Sequence, residues 1–546
     1  MREECLYLRP NIQVEPLVDQ WYAWAQLIPP ATAARNITER HLKIMESYIA
    51  APRFHADAVK NPKMLGGPFI DHGGARVDEI RALRDWTVHE RADLIQLSAA
   101  LSQLDAMLRA NAKGFSLHPL YAQVPEILKG YVELLYDLHG HPTFRLVESL
   151  MYKSRFFNSA TQSLMLSVIS GDDRPFVLST PRLPSSGQLQ LSMPFDDERV
   201  DMLFRLKSSP RPWSEIRSLF PLGGDDEALF RSLFTTEPAA PYRAYDGPGL
   251  RWRYFGHACI LIEVGGVSML FDPVLSYTYE NNISRYTYLD LPDTIDYVLI
   301  THNHIDHLLF ETLLQLRHKV RHLVVPRNNP GALHDPSMAL LLEHCGFDQV
   351  IELTELGTIG DGRVTVTGLP FFGEHGDLAV STKLAYLVRA GGAALMFAAD
   401  SCNIEPRLYR HIHDAVGDVD ALFLGMECTG APMSWLYGPL MLQKPERAMD
   451  ESRRLNGSNY EQAIEIVNAF NFRDVYVYAM GQEPWLTYIS SIKYSEESRP
   501  IVDSNRLIAE CRARGITSER LFGEKEILVD LDGFAGLPRH AAVELR

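Results

Sequence analysis

The sequence predicts two regions, an α+β domain over residues 1–240 and a layered α/β domain over residues 250–532. In the second half, short apolar runs of strand composition alternate with helical patterns. The segment 237–249 is rich in proline and glycine, as linkers are. With 546 residues the chain is also long enough to bury more than one core. We therefore expect two domains with the boundary between residues 240 and 250.

Composition narrows the function classes before any motif is considered. The formal net charge of -16 argues against nucleic acid as a partner, because phosphate contacts need clustered Lys and Arg. The six cysteines are widely spaced and form no CxxC pair, which indicates reduced thiols. No apolar run approaches the roughly 20 residues that span a bilayer. We expect a soluble protein in the cytoplasm, with no membrane partner.

The first half contains both helical and strand-like patterns. Leucines at helical spacing predict a helix over 94–108, and a second apolar pattern predicts one over 127–138 with a break near Gly130. Apolar pieces among Pro and Ser turns predict strands at 176–179 and 189–191. Large side chains here are expected to fill the core or an interface: Trp21, Trp24, Met151 and Tyr152.

The second half begins with a predicted hairpin and continues as alternating strands and helices. One strand over 250–264 and one from Val267 are joined by the turn Gly265-Gly266. Further strands are predicted at 322–325, 364–367, 384–388, 394–398, 421–424 and 475–478. Helices are predicted at 337–345, 460–470 and 505–514.

One strand of this region, residues 297–300, runs directly into four potential metal ligands. His302, His304, Asp306 and His307 form an HxHxDH pattern that chance placement of histidines explains poorly. The apolar spacing from Ile305 to Leu314 predicts that a helix follows. The four side chains are therefore expected at a corner between a strand and a helix.

Two further strands end in possible ligands. Glu374 and His375 follow the strand over 364–369, and Asp400 follows the strand over 395–399. Two ions can be bound by this set if His302 with His304 holds one, Asp306 with His307 holds the other, and a carboxylate such as Asp400 bridges them. A shift of one residue in register exchanges the side chain that faces the metals, so His375 competes with Glu374.

These motifs resemble the metallo-β-lactamase fold over about residues 250–530. The resemblance rests on Gly256-His257-Ala258, Phe271-Asp272-Pro273, the HxHxDH pattern and Asp400, and it implies an αββα sandwich. In that superfamily the second ligand loop usually supplies His, and a late strand end usually supplies another. Here the second loop offers Glu374, and no His occurs between His413 and His540. Carboxylate in place of imidazole, with an open position, favours an oxygen-activating iron pair over closed dinuclear zinc.

With the HxHxDH, Gly-Glu-His-Gly and bridging-Asp pattern, the chain resembles the non-haem di-iron β-hydroxylases of nonribosomal peptide biosynthesis. Its opening segments at 7–10, 15–18 and 21–24 are also similar to the N-terminal domain of that family. The resemblance implies two Fe ions with O2 as co-substrate. It also implies the ligands: one iron on His302, His304 and Glu374, the other on Asp306 and His307, with Asp400 bridging. Glu374 is the residue that we expect to be catalytic.

The same resemblance implies an activity and partners. The chain would hydroxylate the β-carbon of an amino acid tethered as a thioester to a carrier domain of a nonribosomal peptide synthetase, in antibiotic or other natural product biosynthesis. Such a monooxygenase needs two external electrons, and since no flavin or nicotinamide fingerprint is evident, we expect a ferredoxin or reductase partner. A homodimer formed through the N-terminal half is also expected, and the same half is expected to dock partners.

Two other functions are compatible with the pattern. A dinuclear zinc hydrolase of this fold would act on a phosphodiester, lactone or thioester through a bridging hydroxide. A non-catalytic interaction protein would keep the metal site only to stabilise the fold, although six intact ligand candidates argue against it.

Several other residues have assigned or open roles. His257 and Asp272 are expected to support ligands rather than bind metal, and Asp377 to be a turn residue. Glu427 either reaches the site or is solvated. Trp435, Tyr437 and Met441 either face substrate or pack in the core.

Overall fold

The computed structural model describes residues 4–360 and 362–529. In the first half the helices are α1 Pro30–Asn36, α2 Leu42–Ala50, α3 Pro52–Ala58, α4 Val77–Glu90, α5 Ala92–Asn111, α6 Glu148–Tyr152, α7 Glu198–Arg205, α8 Trp213–Leu219 and α9 Gly224–Ser232. The strands are β1 Cys5–Leu8, β2 Ile12–Val18, β3 Trp21–Tyr22, β4 Val132–Tyr136, β5 Pro142–Leu146, β6 Gln162–Val168, β7 Gln188–Ser192, β8 Arg211–Pro212 and β9 Phe234–Thr235. They form antiparallel sheets in the orders β3-β2-β6-β7, β8-β1-β9 and β4-β5.

The second half contains two seven-stranded sheets. Its strands are β10 Leu250–Gly256, β11 Cys259–Val264, β12 Val267–Phe271, β13 Ile295–Leu299, β14 Val320–Pro326, β15 Val350–Leu353, β16 Thr358–Gly360, β17 Val364–Leu369, β18 Ala385–Ala390, β19 Ala393–Phe397, β20 Ala421–Gly425, β21 Asp474–Tyr478, β22 Thr517–Arg520 and β23 Lys525–Val529. The sheet orders are β15-β14-β13-β12-β11-β10-β23 and β16-β17-β18-β19-β20-β21-β22. In each sheet the strands that follow the antiparallel hairpins pair in parallel.

Helices cover the outer faces of both sheets. The helices of this half are α10 Phe310–Leu316, α11 Met338–Glu343, α12 Arg407–Val416, α13 Ser434–Tyr437, α14 Arg447–Ser452, α15 Tyr460–Ala469, α16 Thr487–Ser490 and α17 Arg499–Ala513, and five of them lie on the sheets. The helix α10 packs with α11 on the first sheet, and α12, α15 and α17 pack on the second. Between the sheets lies an aromatic core in which Phe271 stacks on Phe397 with ring centroids 4.1 Å apart. This is the αββα sandwich that the motifs imply.

Residues from the first half pack around the end of the sandwich that carries the predicted ligands. Trp21, Trp24 and Tyr48 share one buried cluster with Ile305 and Leu309 from the loop that contains the HxHxDH pattern. Trp21, Trp24, Met151 and Tyr152 are all buried, as predicted. The first half therefore forms part of the surroundings of the site.

A buried charge network also joins the two halves, and we call it the interface cluster: Glu15, Arg174, Arg182 and Glu311 with Tyr22, Tyr277 and Tyr488. Arg182 bonds both carboxylate oxygens of Glu15 at 3.0 Å, and Arg174 donates to Glu15 at 2.6 Å and to Glu311 at 2.7 Å. The three tyrosine hydroxyls donate to Glu311. Because Glu311 lies on α10, the network anchors the helix that follows the HxHxDH loop.

Most predicted strands and helices are present within a few residues, but two predictions in the first half are wrong. In place of a helix over 127–138, β4 pairs with β5 through a turn at 137–141, and pairing between strands prevails over the apolar spacing. Residues 176–179 form a turn instead of a strand, in which the N–H of Thr180 bonds the carbonyl of Phe176.

Two predictions in the second half also need correction. The expected strand over 250–264 is two strands, because Gly256 and His257 both have positive φ and bend the chain. The helix expected from Ile305 begins only at Phe310, since residues 304–309 form a loop in which the carbonyl of His304 accepts the N–H of Leu308. The predicted domain end at 532 lies outside the described residues. Among the helices in the described ranges, none has the length and apolar character needed to cross a membrane.

Candidate metal centre

Three strand ends bring the six predicted ligands together. Strand β13 leads into His302, His304, Asp306 and His307, β17 leads into Glu374, and β19 leads into Asp400. Asp306 is partly exposed and the other five side chains are buried. Potential ligand atoms lie within 4.8 Å of one another in three overlapping sets: His302, His304 and Glu374; His302, His307 and Asp400; His257, Asp306 and His307. The geometry therefore provides room for two neighbouring ions.

Left-handed backbone conformations occur at the loops that surround these side chains. Non-glycine residues with positive φ include His257, Asp272, Glu374, Ala399 and Ala479, at values from 35° to 67°. Such conformations are costly for residues with a Cβ and persist where the surrounding structure fixes them, often at functional sites. His257, Asp272 and Ala479 come directly after a strand, whereas Ala399 and Glu374 lie in the loops that follow β19 and β17. The bends therefore occur where the chain leaves the sheets and enters the shared site.

His307 is held in place by Asp272 and Thr301. The Nδ1 atom of His307 lies 2.8 Å from Oδ2 of Asp272, and Asp272 also accepts the N–H and the hydroxyl of Thr301. With Nδ1 bonded to a carboxylate, the Nε2 atom is the one directed at the site, 3.1 Å from Asp400. Asp272 therefore supports a candidate ligand, as the sequence predicts.

His304 is fixed from two sides. Its Nδ1 atom lies 2.9 Å from Oε1 of Glu374, and its Nε2 atom lies 3.2 Å from the hydroxyl of Tyr437. Because Tyr437 binds the nitrogen that points away from Glu374, Nδ1 is left to share a metal with that carboxylate. The supporting role of Tyr437 is not evident from the sequence, where it is only a candidate for substrate contact.

His257 contacts the loop that follows β21. Its Nδ1 atom accepts the N–H of Gly481, and its carbonyl accepts the N–H of Ala479. Its Nε2 atom lies 3.2 Å from Oδ2 of Asp306. An imidazole that accepts at Nδ1 carries its proton at Nε2, so His257 is placed to orient Asp306.

The carboxylates of the site pair with histidines and, within the described residues, with no lysine or arginine. In the described ranges no Lys or Arg forms an ion pair with Asp306, Glu374 or Asp400. Burial raises the pKa of Glu374 although His304 opposes it, and Asp400 and Asp306 raise it further. Burial also opposes charge on His307, but Asp400 and Asp272 outweigh it and hold the pKa of His307 well above its usual value. The site thus concentrates negative charge on its carboxylates, which bound cations would neutralise.

Several polar atoms of the site are buried without a hydrogen-bond partner. They include Nε2 of His302, Oε2 of Glu374 and Oδ1 of Asp400. Buried polar atoms are rarely left unpaired, and such atoms converging on one point are what a metal ion would satisfy. Three imidazoles with three carboxylates are ligands that suit iron. The residues present therefore fit an iron pair.

Close packing behind Asp400 depends on a glycine that the sequence does not single out. A Cβ atom on Gly425, at the end of β20, would lie 2.3 Å from Oδ1 of Asp400. Only glycine allows the carboxylate to occupy its position. The one sequence signal is the location of Gly425 directly after a buried strand.

The structure favours Glu374 over His375 as the side chain that faces the metals. Glu374 belongs to a set of converging ligand atoms, whereas His375 belongs to none of the sets among the described residues. The ring of His375 instead lies beside that of His304, with centroids 4.7 Å apart. Asp377 adopts a left-handed conformation in a turn, as predicted.

A cavity of about 650 Å³ opens above the site, and we call it the substrate cavity. His304, Asp306, Glu374 and Asp400 line it, together with Glu427. Its walls include apolar side chains from both halves of the chain: Leu65, Ile305, Trp435, Leu436, Leu455 and Ile489. Met441 lines a neighbouring cavity instead.

Four exposed cationic side chains line the substrate cavity, and the sequence does not predict this grouping. They are Lys63, Arg454, Lys493 and Arg499. They are scattered over more than 400 positions of the chain, so no local signal reveals them.

Comparison with protein families gives two matches along the chain. Residues 7–238 match the diiron non-heme beta-hydroxylase N-terminal domain, and residues 268–473 match the beta-lactamase superfamily domain. The second match fits the sandwich described above.

Comparison with individual proteins gives similarity over nearly the whole chain. The chain is 40% identical over 521 residues to the 4-amino-L-phenylalanyl-[CmlP-peptidyl-carrier-protein] 3-hydroxylase of Streptomyces venezuelae, covering 94% of this chain and 98% of the relative. The crystal structure of CmlA, a diiron beta-hydroxylase from Streptomyces venezuelae, superposes with a TM-score of 0.91 at 39% identity over 97% of this chain and 100% of that chain. A metal-dependent hydrolase from Methylacidiphilum infernorum is 30% identical over only 104 residues, 19% of this chain and 40% of the relative.

Proposed function

The chain belongs to the family of diiron non-haem β-hydroxylases, and from this premise we propose that it hydroxylates the β-carbon of an amino acid tethered to a peptidyl-carrier domain. Its cofactor is a pair of iron ions, and O2 is the co-substrate. One oxygen atom enters the C–H bond, and the other leaves as water with two electrons from a reductant and two protons. Family membership favours this function over the zinc hydrolase.

The observation that carries the proposal is the convergence of three imidazoles and three carboxylates beneath the substrate cavity, with Glu374 where related hydrolases usually have His. We propose His302, His304 and Glu374 as ligands of one iron, Asp306 and His307 as ligands of the other, and Asp400 as the bridge. The iron pair supplies activation of O2 when it is bound. A donor set rich in carboxylates leaves room for O2 more readily than a closed set of imidazoles does.

The residues of this chain then have defined tasks. Asp272 and Tyr437 hold the two ring nitrogens that face away from the metals, which fixes the orientation of His307 and His304. The apolar walls of the substrate cavity exclude water and hold the substrate side chain. Glu374 faces both the proposed metals and the substrate cavity, so its carboxylate is the group best placed to couple substrate binding to the metal pair.

The test is metal content followed by turnover. We expect about two iron ions per chain, and hydroxylated product when the reduced protein meets O2 and a panel of aminoacyl-carrier proteins that includes 4-amino-L-phenylalanyl. Zinc-loaded protein should give no product with the same panel. Absence of product across the panel from protein with full iron content would overturn the proposal, and thioester hydrolysis by zinc-loaded protein would restore the hydrolase.

We propose that carrier domains dock at the cationic opening of the substrate cavity. Carrier domains are typically acidic, and this chain is acidic overall, so docking needs a local patch of positive charge. Lys63 and Lys493 are exposed and form no ion pair within the described ranges, so both are free to meet a carboxylate or phosphate.

The docking proposal predicts a salt-dependent effect. In the double variant Lys63→Glu and Lys493→Glu, the KM for loaded carrier should rise roughly 10-fold at low salt, with less effect at high salt and little change in kcat. Lys113→Glu, far along the first half, is the matched control. A KM unchanged at low salt would exclude docking at this opening.

We further propose a cytoplasmic homodimer, formed through residues 1–240 and reduced by an external ferredoxin or reductase. Support for the dimer comes from Phe115 and Leu138, two exposed apolar side chains in this half. Light scattering should give a dimer for the wild type and a monomer for Phe115→Asp with Leu138→Asp. The reductant is testable by replacing dithionite with ferredoxin and its reductase in the turnover assay.

A further inference from the structure

Glu427 is an acidic side chain in the substrate cavity that the metal site does not use. It follows β20, and its Oε1 atom accepts the N–H and the hydroxyl of Thr429, both at 2.8 Å. Its Oε2 atom is buried and has no hydrogen-bond partner. The two bonds to Thr429 fix the carboxylate and leave one oxygen free.

No basic side chain of the described part of the chain forms an ion pair with Glu427. The charge of Arg454 lowers the pKa of Glu427, but its guanidinium donates to the carbonyls of Gly430 and Thr429 and not to the carboxylate. A buried carboxylate without a partner is costly unless a ligand completes it. Because Glu427 lines the substrate cavity, a donor that enters the cavity can complete this carboxylate.

Resting on the proposed function, we propose that Glu427 binds the α-ammonium group of the carrier-tethered amino acid and thereby selects aminoacyl over simple acyl substrates. Among the described residues that line the cavity, Glu427 is the acid left for a substrate cation, since Asp306, Glu374 and Asp400 are the proposed ligands and the opening is cationic. The substrate cavity then has an acidic position for the ammonium group, apolar walls for the side chain and cations at its opening.

The position of the ammonium group also decides which bond reacts. In an α-amino acid the nitrogen is attached to the carbon next to the β-carbon, so fixing the nitrogen limits where the β-carbon can lie. Glu427 and Asp400 line the same cavity, and their backbone carbonyl oxygens lie 3.6 Å and 3.4 Å from the position of a Cβ atom on Gly457, so the two residues are close neighbours. The β-carbon of a substrate held by Glu427 therefore lies beside the metal pair, which is the kind of positioning that accelerates a reaction.

The test compares two carrier-bound probes, 4-amino-L-phenylalanyl and 3-(4-aminophenyl)propanoyl. Both carry the aromatic amine, and they differ only in the α-amino group. Binding of each loaded carrier to oxidised, iron-loaded protein is measured by calorimetry, and turnover is measured separately. We expect the wild type to prefer the aminoacyl carrier by on the order of 100-fold in kcat/KM and to bind it more tightly. Glu427→Gln should remove most of that preference while retaining two iron ions per chain. Glu46→Gln, an exposed acid on α2, is the matched control.

A milder variant separates substrate contact from damage to the site. Thr429→Val retains the carboxylate but loses the hydroxyl that orients it, and it should raise KM several-fold with unchanged iron content. Loss of iron in Glu427→Gln would make Glu427 a metal ligand and overturn the proposal. A preference that survives in Glu427→Gln would also overturn it.

Failure of the proposed function looks different from failure of this inference. If no carrier-bound probe is hydroxylated, the function fails, and the binding comparison still decides whether Glu427 recognises the amine. If both probes are hydroxylated at equal rates by the wild type, the function stands and the inference is wrong.

Discussion

Two buried clusters of charge involve the segment that follows β13, the metal cluster at its loop and the interface cluster at the start of α10, and they are built in opposite ways. In the interface cluster, Arg174 and Arg182 balance Glu15 and Glu311, and every carboxylate oxygen accepts a hydrogen bond. In the metal cluster, three carboxylates have no arginine or lysine partner in the described structure, and atoms on His302, Glu374 and Asp400 remain unpaired. The interface cluster is completed by the chain itself.

The difference separates a structural role from a functional one. A buried ion pair is destabilising to break but adds little when complete, so the interface cluster serves to fix the first half against α10. Burial of the carboxylates in the metal cluster is unfavourable until cations bind, so this site lowers the stability of the fold for the sake of function. Substitutions in one cluster should therefore change folding, and substitutions in the other should change iron content and activity.

The largest expected effect is that of Asp400→Asn. It removes the charge of the proposed bridge while keeping the shape, so we expect at most one iron ion per chain and a fall in hydroxylation rate of at least about 1000-fold, on the order of 4 kcal/mol in barrier. The free energy of unfolding of iron-free protein should fall by no more than about 1 kcal/mol, because the amide keeps the shape of the side chain and Asp272 still bonds Nδ1 of His307. Metal analysis, turnover and urea denaturation measure the three quantities, with exposed Asp414→Asn as the control. Full iron content with full activity would contradict the assignment.

The second effect tests the interface cluster. Arg174 lies 3.5 Å over the ring of Tyr488 and neutralises two buried carboxylates. Arg174→Met should lower the free energy of unfolding by about 3–5 kcal/mol, because it leaves buried charge uncompensated.

Arg506 provides a matched control on the surface. It lies 3.7 Å over the ring of Tyr460 and pairs with Glu461, but it is largely exposed. Arg506→Met should cost less than about 1 kcal/mol. Equal losses in the two variants would show that burial does not distinguish the two arginines.

The third effect tests the close contact between the backbone of Gly425 and the carboxylate of Asp400. Gly425→Ala places a Cβ atom where Oδ1 of Asp400 now lies, so the carboxylate must move. We expect a loss of roughly 10–100-fold in iron affinity, as for residues that orient ligands. Gly171→Ala, where a Cβ meets nothing within 4 Å, is the control. Unchanged iron affinity in Gly425→Ala would mean that Asp400 does not need its present position.

The sequence predicts the metal cluster better than the interface cluster, for a physical reason. Four of the six proposed ligands lie within six consecutive positions, so one loop reveals most of the set: His302, His304, Asp306 and His307. Glu15, Arg174, Arg182 and Glu311 are scattered over nearly 300 positions, and each alone resembles an ordinary surface charge. Long-range pairing of single charges has no local signature.

The same distinction explains the fold. Strands such as β14 and β19 are predicted correctly because each contains a continuous run of apolar residues, which is visible in the local sequence. The hairpin of β4 and β5 is not predicted because it depends on pairing between two strands across a turn. The loop at 304–309 is not predicted because its apolar residues are spaced as in a helix, although the segment folds as a loop that carries ligands. The roles of Tyr437 and Gly425 arise from contacts across the fold and have no sequence pattern.

The smallest effect is the pH dependence of stability that Glu15 gives to the interface cluster. Burial favours the neutral form of Glu15, but Arg182 and Arg174 outweigh it and lower its pKa from 4.5 to about 2. The unfolded chain therefore takes up the proton first as pH falls, so the stabilising contribution is complete above pH 4.5 and is lost as pH falls towards 2. Between pH 7 and pH 4 the loss from this group should be about 1 kcal/mol. Urea denaturation across that range should give a flatter pH dependence for Glu15→Gln than for the wild type, although the variant is less stable throughout. Parallel curves would mean that Glu15 does not carry its charge as the two arginines imply.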